Sequence, residues 1–274
     1  MNDILGYKGK TVVITGAASG MGQAAATLLV DLGAEVYALD VAPVSAPVAN
    51  AIHVDMKDAR SIDNAVAKLP QNIDALFNCA GVPSPPFSAQ DTLLINFVGL
   101  RYLTELLVPR ISTGGGIASI ASTAGMAWRA GLASVQDFLS TENSFDASAQ
   151  WMSEHPDACA DGYGFSKQCI IVYTMQMARE LAASNIRINC ISPSPTASGF
   201  MDKLKGEGQM PDELVDLFLP SNGRYATGEE MGEALVLLNS KLSSFISGIN
   251  MPVDFGYCAE TFMSQRDDLL GISH

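Results

Sequence analysis

Residues 11–22 read TVVITGAASGMG, and this stretch decides the fold of the chain. Its first five residues are all β-branched, which is typical of a buried strand. Glycines follow at Gly16, Gly20 and Gly22, where the backbone is expected to turn sharply. A helical pattern comes next, and the N-terminus of a helix presents free N–H groups to an anion. The order strand, glycine-rich turn, helix therefore predicts a turn that lets the backbone approach a pyrophosphate.

A glycine-rich turn by itself is also explained by a tight strand-to-helix connection, and the spacing here is G-x-x-x-G-x-G. The second apolar run ends in Asp40, eighteen residues after Gly22. Dinucleotide-binding folds place an acid at this point to bind the ribose hydroxyls, and a carboxylate there repels a 2′-phosphate. We therefore predict NAD rather than NADP as the cofactor. The alternative for Asp40 is a solvated acid at the end of a strand.

Short apolar runs alternate along the chain with longer helical patterns, which is typical of a parallel sheet covered by helices on both faces. Strands are predicted at residues 11–15, 35–39, 51–54, 75–78, 116–121, 187–191 and 246–253. Helices are predicted at residues 20–32, 58–69, 89–110, 163–183 and 228–239. The sequence thus predicts an α/β fold, a Rossmann-type doubly wound parallel sheet of about seven strands, in a single domain over residues 1–274.

Two long excursions interrupt this alternation. Residues 125–162 hold four aromatic side chains and six acids, whereas residues 192–227 mix proline and glycine with a short amphipathic piece. Excursions of this length in a compact domain are usually lids or binding loops. We predict that the first is an insertion and that the second is a substrate-binding lid.

Composition limits the classes of partner and the compartment. The chain of 274 residues is 48% hydrophobic and 16% charged, which excludes a disordered protein. Its net charge of −13 repels phosphate backbones and anionic headgroups, so neither nucleic acid nor a membrane is an expected partner. The first ten residues do not resemble a signal peptide, and the five cysteines are scattered. These features predict a reduced, cytoplasmic protein with buried thiols and no metal site.

Tyr163 and Lys167 form a Y-x-x-x-K pair at the start of a predicted helix. The i, i+4 spacing places both side chains on one face of the helix. A phenol has a pKa near 10, and an adjacent ammonium favours the phenolate and lowers that pKa. The pair is thus a candidate acid/base for an alcohol or a ketone. Such a pair on the surface of a helix, without function, is the alternative.

Together these positions resemble the short-chain dehydrogenase/reductase family, and the resemblance covers nearly the whole chain. The matching positions are T-G-x-x-x-G-x-G at residues 15–22, Asp55, Asn78-Cys79-Ala80-Gly81, Asn96, Ser122, Tyr163-x-x-x-Lys167, Asn189, Pro193 and Asp254. The resemblance implies that Tyr163 donates or accepts the proton and that Ser122 holds the substrate oxygen. It further implies that Lys167 holds the nicotinamide ribose and lowers the pKa of Tyr163, and that Asn96 anchors a water in the proton relay.

The catalytic residues predicted in this way are Ser122, Tyr163, Lys167 and Asn96. The predicted cofactor-binding residues are Gly16, Ser19, Gly20, Met21, Gly22, Asp40, Val41, Asp55, Met56, Asn78, Ala80, Gly81, Tyr163, Lys167, Pro193, Thr196 and Ser198. For Asn78, bracing of the neighbouring strand is a second interpretation. Either Thr196 or Ser198 is expected to supply the hydroxyl that the family has in this loop.

The subgroup is suggested by the distance between Ser122 and Tyr163, which is 41 residues where most relatives have about a dozen. With Trp151 and the ending at residues 247–254, the chain looks like the bacterial branch of 3α-hydroxysteroid dehydrogenase/carbonyl reductases and coniferyl-alcohol dehydrogenases. That likeness implies a bulky hydrophobic alcohol or carbonyl substrate. The aromatics of the insertion and the lid residues Phe200, Met201, Leu204, Met210, Leu214 and Phe218 are expected to wall its pocket. The alternative is that the inserted aromatics pack a small core of their own.

Two positions depart from the family pattern. Ser194 follows Pro193 where relatives have glycine, and Phe255 follows Asp254 where relatives also have glycine. These departures leave open a second function, a nucleotide-sensing binding protein with little turnover.

The predicted helices at residues 89–110 and 163–183 are apolar around much of their circumference. A helix buried on one side needs only one apolar stripe, so the excess predicts a subunit interface. The expected state is a homodimer or a homotetramer.

Overall fold

The computed structural model describes residues 3–201 and 215–273 of the chain. They form a sheet of seven strands in the order β3-β2-β1-β4-β5-β6-β7, and every neighbouring pair is parallel. The strands are β1 Thr11–Thr15, β2 Glu35–Asp40, β3 Asn50–His53, β4 Ile73–Asn78, β5 Ile111–Ile120, β6 Arg187–Pro193 and β7 Asn250–Val253. The predicted doubly wound sheet is confirmed.

Helices cover both faces of the sheet. They are α1 Gly20–Asp31, α2 Ala59–Val66, α3 Ala89–Leu93, α4 Gly99–Leu107, α5 Leu132–Leu139, α6 Phe145–Glu154, α7 Gly162–Leu181, α8 Gly228–Asn239 and α9 Tyr257–Phe262. Short 3₁₀ turns lie at Val108–Arg110, Thr123–Arg129, Ala182–Ser184 and Lys241–Ser243. A π-helical turn at Leu94–Val98 joins α3 to α4, so the helix predicted at residues 89–110 is interrupted in its middle.

The last strand is shorter than the predicted range of 246–253. Gly248 has a φ of +79°, and its N–H donates to the carbonyl of Ile188 at 2.7 Å. A positive φ turns the chain, so the residues before Asn250 form a turn instead of the strand.

The core consists of two apolar layers, one on each face of the sheet. One layer packs α2, α4 and α7 against the strands, and the other packs α1 and α8. Neighbouring residues of β4 enter opposite layers, since Leu76 belongs to the first and Phe77 to the second. This alternation explains why a parallel strand buried on both faces is a continuous apolar run.

The insertion packs its aromatic side chains inward. The rings of Phe138 and Trp151 lie 4.7 Å apart between centroids, and Trp151 stacks on Phe165 of α7 at 5.8 Å. Phe145 packs edge-on against Tyr102 of α4 at 5.7 Å. These three inserted aromatics therefore form neither a wall of the substrate pocket nor a small core of their own, because they join the core layer of α4 and α7. An apolar side chain gains more free energy in a closed core than at an open pocket mouth.

This packing also explains the apolar excess on α4 and α7. Helices α5 and α6 cover part of the face that the sequence suggested as a subunit interface, and their side chains belong to the same core layer as α4 and α7. Among the large apolar side chains of the two helices, only Leu106 and Met175 remain exposed, at 37% and 36%. The chain itself provides the cover, so the apolar excess no longer argues for a partner. Self-association stays a prediction.

One helical stretch, Ala89–Arg110, is long and apolar enough to cross a membrane by length and composition. Of its most apolar 18-residue window, 56% is buried inside the protein. Thr104 in this stretch accepts a hydrogen bond from Asn78 at 3.0 Å. These contacts identify it as a core helix of the α/β fold.

Replacing Phe138 by alanine should lower the free energy of unfolding by about 3–5 kcal/mol, because a buried ring leaves a cavity among aromatic neighbours. Urea unfolding followed by circular dichroism measures the change. Phe245→Ala is the matched control, since Phe245 is fully exposed and its removal should change the stability by less than about 0.5 kcal/mol. Equal losses in the two variants would contradict a packed insertion.

Candidate active site

The glycine-rich turn lies at the carboxyl end of β1, where it is held so close to its neighbours that side chains do not fit. A Cβ at Gly22 would lie 2.1 Å from the carbonyl oxygen of Gly16. Gly16 itself has a φ of +69°, and a Cβ there would lie 2.6 Å from the main-chain nitrogen of Ala80. Ser19 precedes α1, and its side chain makes no capping bond. The first N–H groups of α1 and the Ser19 hydroxyl therefore suit a phosphate group.

Thr15 is a residue of this site that the sequence reasoning left out of the cofactor set. Its hydroxyl oxygen accepts hydrogen bonds from the N–H groups of Cys79 and Ala80, both at 3.1 Å. These bonds hold the loop after β4 against the glycine-rich turn. In the sequence, the signal for this role is a threonine at the last position of the first strand.

The carboxylate of Asp40 lies at the end of β2, beside the turn. One oxygen accepts from the N–H of Ala18 at 2.8 Å, and the other accepts from Ala42 at 2.9 Å. Each carboxylate oxygen has a second acceptor site, so Asp40 can hold the turn and still accept from a ribose hydroxyl. Val41 beside it is 63% exposed and offers an apolar surface for a flat base.

Asp55 and Met56 follow β3 at the same edge of the sheet. Asp55 accepts from the N–H of Lys57 at 3.0 Å, and its own N–H donates to Ser61 at 2.9 Å. The side chain of Met56 is buried in the core. A cofactor contact by Met56 would thus use its main chain.

Three of the four predicted catalytic residues come together where α7 passes the end of β5. Lys167 is buried, and its Nζ donates to the carbonyl of Ile120 at 2.9 Å. The same ammonium lies 5.5 Å from the centroid of the Tyr163 ring. Tyr163 is hydrogen-bonded to Ser122, and the Ser122 oxygen also accepts from Ala124 at 3.2 Å. Phenol, hydroxyl and ammonium therefore form one cluster.

Burial decides the protonation of this cluster. It raises the pKa of Tyr163 to about 12, although the bond with Ser122 acts to lower that pKa, and the charge of Asp161 raises it further. The expectation that Lys167 lowers the pKa of Tyr163 is not met here, because desolvation of the phenolate outweighs every other influence. Burial also lowers the pKa of Lys167 to about 8. At pH 7 the phenol is protonated and the ammonium is mostly charged.

Asn96 lies in the π-helical turn and ties it to the loop after β4. Its Oδ1 accepts from the N–H of Val82 at 2.7 Å, and its Nδ2 donates to the Val82 carbonyl at 3.0 Å and towards Ser166 at 3.4 Å. The amide is thus occupied by protein partners. A π-turn leaves a main-chain carbonyl without its helical partner, and such turns occur often at functional sites. A water in a proton relay would accordingly bind the main chain here, not the amide.

Gly81 and Asn78 belong to the same loop but differ in role. A Cβ at Gly81 would lie 3.3 Å from Asn96 Oδ1 and 3.7 Å from Lys167 Nζ, so glycine keeps this space open. The Asn78 amide is buried and donates to Thr104 at 3.0 Å and towards Ser119 at 3.3 Å. These contacts favour the second interpretation of Asn78, which is bracing between α4 and β5.

The described start of the predicted lid approaches both the turn and Tyr163. Thr196 is buried, and its hydroxyl donates to the carbonyl of Ser194 at 3.0 Å, close to Pro193 at the end of β6. Ser198 lies near the turn, since a Cβ at Gly20 would be 3.5 Å from its Cβ. The ring of Phe200 lies 5.6 Å from that of Tyr163.

The other predicted wall residues are distributed differently. Met201 is buried, and Phe218 packs against the core layer of α7. Leu204, Met210 and Leu214 lie outside the described residues. Phe200 is thus the predicted wall residue whose contact with Tyr163 is described. Within residues 3–201 and 215–273, no group of three His, Cys, Asp or Glu side chains is placed to hold a metal ion.

Comparison with known proteins identifies the family of the chain. Residues 10–134 match the family model described as short chain dehydrogenase, and residues 149–258 match the one described as Enoyl-(Acyl carrier protein) reductase. The chain is 31% identical over 248 residues to a coniferyl-alcohol dehydrogenase from Pseudomonas sp., covering 90% of this chain and 96% of that protein. It belongs to the short-chain dehydrogenase/reductase family.

Further relatives within the short-chain dehydrogenase/reductase family show its range. An NAD-dependent glycerol dehydrogenase from Listeria innocua is 30% identical over 268 residues, covering 90% of this chain and 93% of that protein. A crystal structure of the 3-alpha-hydroxysteroid dehydrogenase from Pseudomonas sp. B-0831, complexed with NADH, has a TM-score of 0.78 at 22% identity. That match covers 94% of this chain and 99% of that one. The resemblance recognised in the sequence is confirmed, and the chain is a short-chain oxidoreductase.

Gly22→Ala should abolish tight binding of NADH, because the new Cβ would collide with main-chain atoms that cannot move without opening the turn. The rise in nicotinamide fluorescence on binding measures the affinity, and circular dichroism reports whether the fold is kept. Gly199→Ala is the control, since among the described residues, its two chain neighbours aside, no atom lies within 4 Å of a Cβ at Gly199. Normal NADH binding by Gly22→Ala would contradict a cofactor role of the turn.

Proposed function

We propose that this protein is an NAD-dependent dehydrogenase that interconverts a bulky hydrophobic alcohol and its ketone or aldehyde. The observation that carries the proposal is the cluster of Tyr163, Ser122 and Lys167 beside the glycine-rich turn. A surface pair at i, i+4 would not bury the ammonium or bring a strand-end serine to the phenol. The relatives act on alcohols by their names, which supports the class of substrate.

The residues present fit a nicotinamide dinucleotide. The turn would hold the pyrophosphate, Asp40 the adenosine ribose and Lys167 the nicotinamide ribose. When bound, the cofactor supplies or accepts the hydride. The protein has to orient the substrate, stabilise the negative charge that develops on its oxygen, and move one proton.

In carbonyl reduction, the Ser122 hydroxyl donates to the substrate oxygen, and Tyr163 transfers its proton to the same atom. The raised pKa of Tyr163 suits this direction, because the phenol carries its proton at neutral pH. The Lys167 ammonium, 5.5 Å from the centroid of the Tyr163 ring, would stabilise the phenolate that remains. In alcohol oxidation the same steps run backwards, so that direction needs the phenolate.

Tyr163→Phe should reduce turnover by at least about a hundredfold in both directions while NADH still binds, since the ring remains and only the proton donor is lost. Absorbance of the reduced nicotinamide, with a panel of aryl and steroid alcohols and ketones, measures the rates. Near-normal turnover by the variant would refute the role of Tyr163.

The pH dependence should differ between the two directions. Because the pKa of Tyr163 is raised to about 12, the phenolate fraction increases with pH throughout the range 6–7.5, where Lys167 stays charged, and kcat/KM for oxidation should increase with it. Reduction uses the protonated phenol and should not increase over this range. Initial rates measured both ways between pH 6 and 7.5 provide the test, and an oxidation rate that levels off within this range would contradict the raised pKa of Tyr163.

Asp40→Asn should reduce the preference for NADH over NADPH by about ten- to a hundredfold. The amide keeps an acceptor for the Ala18 N–H but removes the charge that repels a 2′-phosphate. Fluorescence titration with both dinucleotides measures the preference. Asp31→Asn, at the other end of α1, is the control and should leave it unchanged. Tighter binding of NADPH by the unmodified protein would refute the assignment of NAD.

The second candidate function is nucleotide sensing with little turnover. It is favoured by Phe255, which keeps a φ of +48° in the left-handed region, and by Ser194 beside the end of β6. Binding of NADH without turnover of any alcohol or ketone in the panel would support this function instead. Self-association and a cytoplasmic location remain predictions.

A further inference from the structure

Helix α9 starts from a rigid point at the carboxyl end of β7. The buried carboxylate of Asp254 accepts from the N–H groups of Gly256 and Cys258, both at 2.9 Å. Between them, Phe255 has a φ of +48°, a conformation that costs free energy for any residue with a Cβ. The chain keeps this strain at the point where α9 begins, so the direction of the helix is fixed relative to the sheet.

Two side chains project from this segment and hold each other. Arg266 Nε donates to Glu260 Oε2 at 2.9 Å, and the two side chains are 19% and 20% exposed. The guanidinium also lies 4.6 Å from the ring centroid of Tyr257, which is buried. A pair that is mostly shielded from water is screened less than an exposed pair, and the aromatic ring restricts the arginine further.

Both members of the pair also bind the described part of the lid that returns to the sheet, residues 215–221. Arg266 Nη1 donates to the carbonyl of Leu217 at 3.1 Å. Glu260 accepts hydrogen bonds from the hydroxyl and from the N–H of Ser221. Two contacts four residues apart fix both the position and the direction of this segment. We refer to Glu260 and Arg266 as the C-terminal bracket.

The chain after the bracket contacts the other side of the active site. Ile272 is buried in the core layer of α7, and a Cβ at Gly271 would lie 4.0 Å from the Cβ of Ala127. Ala127 belongs to the 3₁₀ turn that follows Ser122. The C-terminal residues thus connect residues 215–221 with the turn next to the catalytic serine.

The two ends of the predicted lid, residues 192–227, pair with each other, and we call this paired part its base. Thr196 pairs with Ala226, and the N–H of Ala197 donates to the Ala226 carbonyl at 2.8 Å. This base lies near the glycine-rich turn, since a Cβ at Gly228 would be 3.2 Å from the Gly20 carbonyl. The base is therefore close to the predicted pyrophosphate site, whereas Phe200 and residues 215–221 belong to the part of the lid between its two paired ends.

We propose that Glu260 and Arg266 are positioning residues that hold residues 215–221 in place and thereby set the affinity for the substrate but not for the dinucleotide. The inference rests on the proposed function, because it assumes that the lid forms the substrate side of the Tyr163 site. The bracket touches neither the phenol nor the turn. Its loss should therefore act on KM and leave the chemical step unchanged.

Arg266→Met removes both hydrogen bonds and keeps an apolar side chain over Tyr257. We expect KM for a bulky alcohol or ketone to increase about three- to tenfold, with kcat and the Kd of NADH within about twofold of the unmodified protein. Arg266→Lys keeps the charge opposite Glu260 but cannot span both partners, so its KM should be intermediate. Arg266→Met combined with Glu260→Gln should be hardly worse than Arg266→Met alone, since the two residues act as one unit.

Lys10→Met is the matched control. Lys10 forms an ion pair with Asp74 at 2.8 Å at the amino end of the sheet, far from the lid along the strands. Its loss should leave both KM and the Kd of NADH unchanged. An equal increase of KM in Lys10→Met would mean that general destabilisation, not the bracket, moves KM.

Hydrogen exchange gives a second measurement that needs no turnover. The amides of residues 215–221 should exchange faster in Arg266→Met than in Lys10→Met, because only the first change releases this segment. Unchanged exchange, an unchanged KM, or an equal loss of NADH affinity would each overturn the proposal. A protein that turns over no alcohol or ketone would refute the proposed function, and the exchange experiment would then still decide whether the bracket holds the segment.

Discussion

The buried ammonium of Lys167 donates a hydrogen bond to the carbonyl of Ile120, and this contact joins α7 to the end of β5. Burial of an ammonium is costly, and the pKa of Lys167 falls to about 8 as a result. Gly125 leaves room for the main chain of Lys167, since a Cβ there would lie 2.7 Å from the Lys167 carbonyl carbon, and the loop after β4 passes the ammonium within van der Waals distance of Gly81. The positions of Tyr163 and of the π-helical turn follow from this arrangement.

Sheet topology brings the remaining parts to the same edge. The order β3-β2-β1-β4-β5-β6-β7 places the glycine-rich turn after β1 next to the loop after β4, where the direction of winding reverses. Thr15 joins those two loops through its hydroxyl. A dinucleotide bound across this point would extend from the end of β2, with Asp40, to the cluster at the end of β5.

The insertion shows how one set of residues can satisfy two interpretations. Its aromatic side chains are compatible with a pocket wall and with a small core, and its acids with either a solvated surface or a pocket mouth. The contacts decide: Trp151 donates its indole N–H to Asp137 at 2.7 Å and stacks on Phe165. The insertion thus covers α4 and α7 from within the chain, and the apolar surface of those helices does not need a second subunit.

The sequence by itself determined the doubly wound α/β class of the fold, the glycine-rich turn, the acid at the end of β2 and the Y-x-x-x-K pair, because each depends on local spacing and on residue type. Only the tertiary structure decided the raised pKa of Tyr163, the bracing contacts of Asn78, the inward packing of Trp151 and the contact of Arg266 with Leu217. These features depend on burial and on contacts between residues that are distant along the chain, and a local sequence pattern contains no information on either.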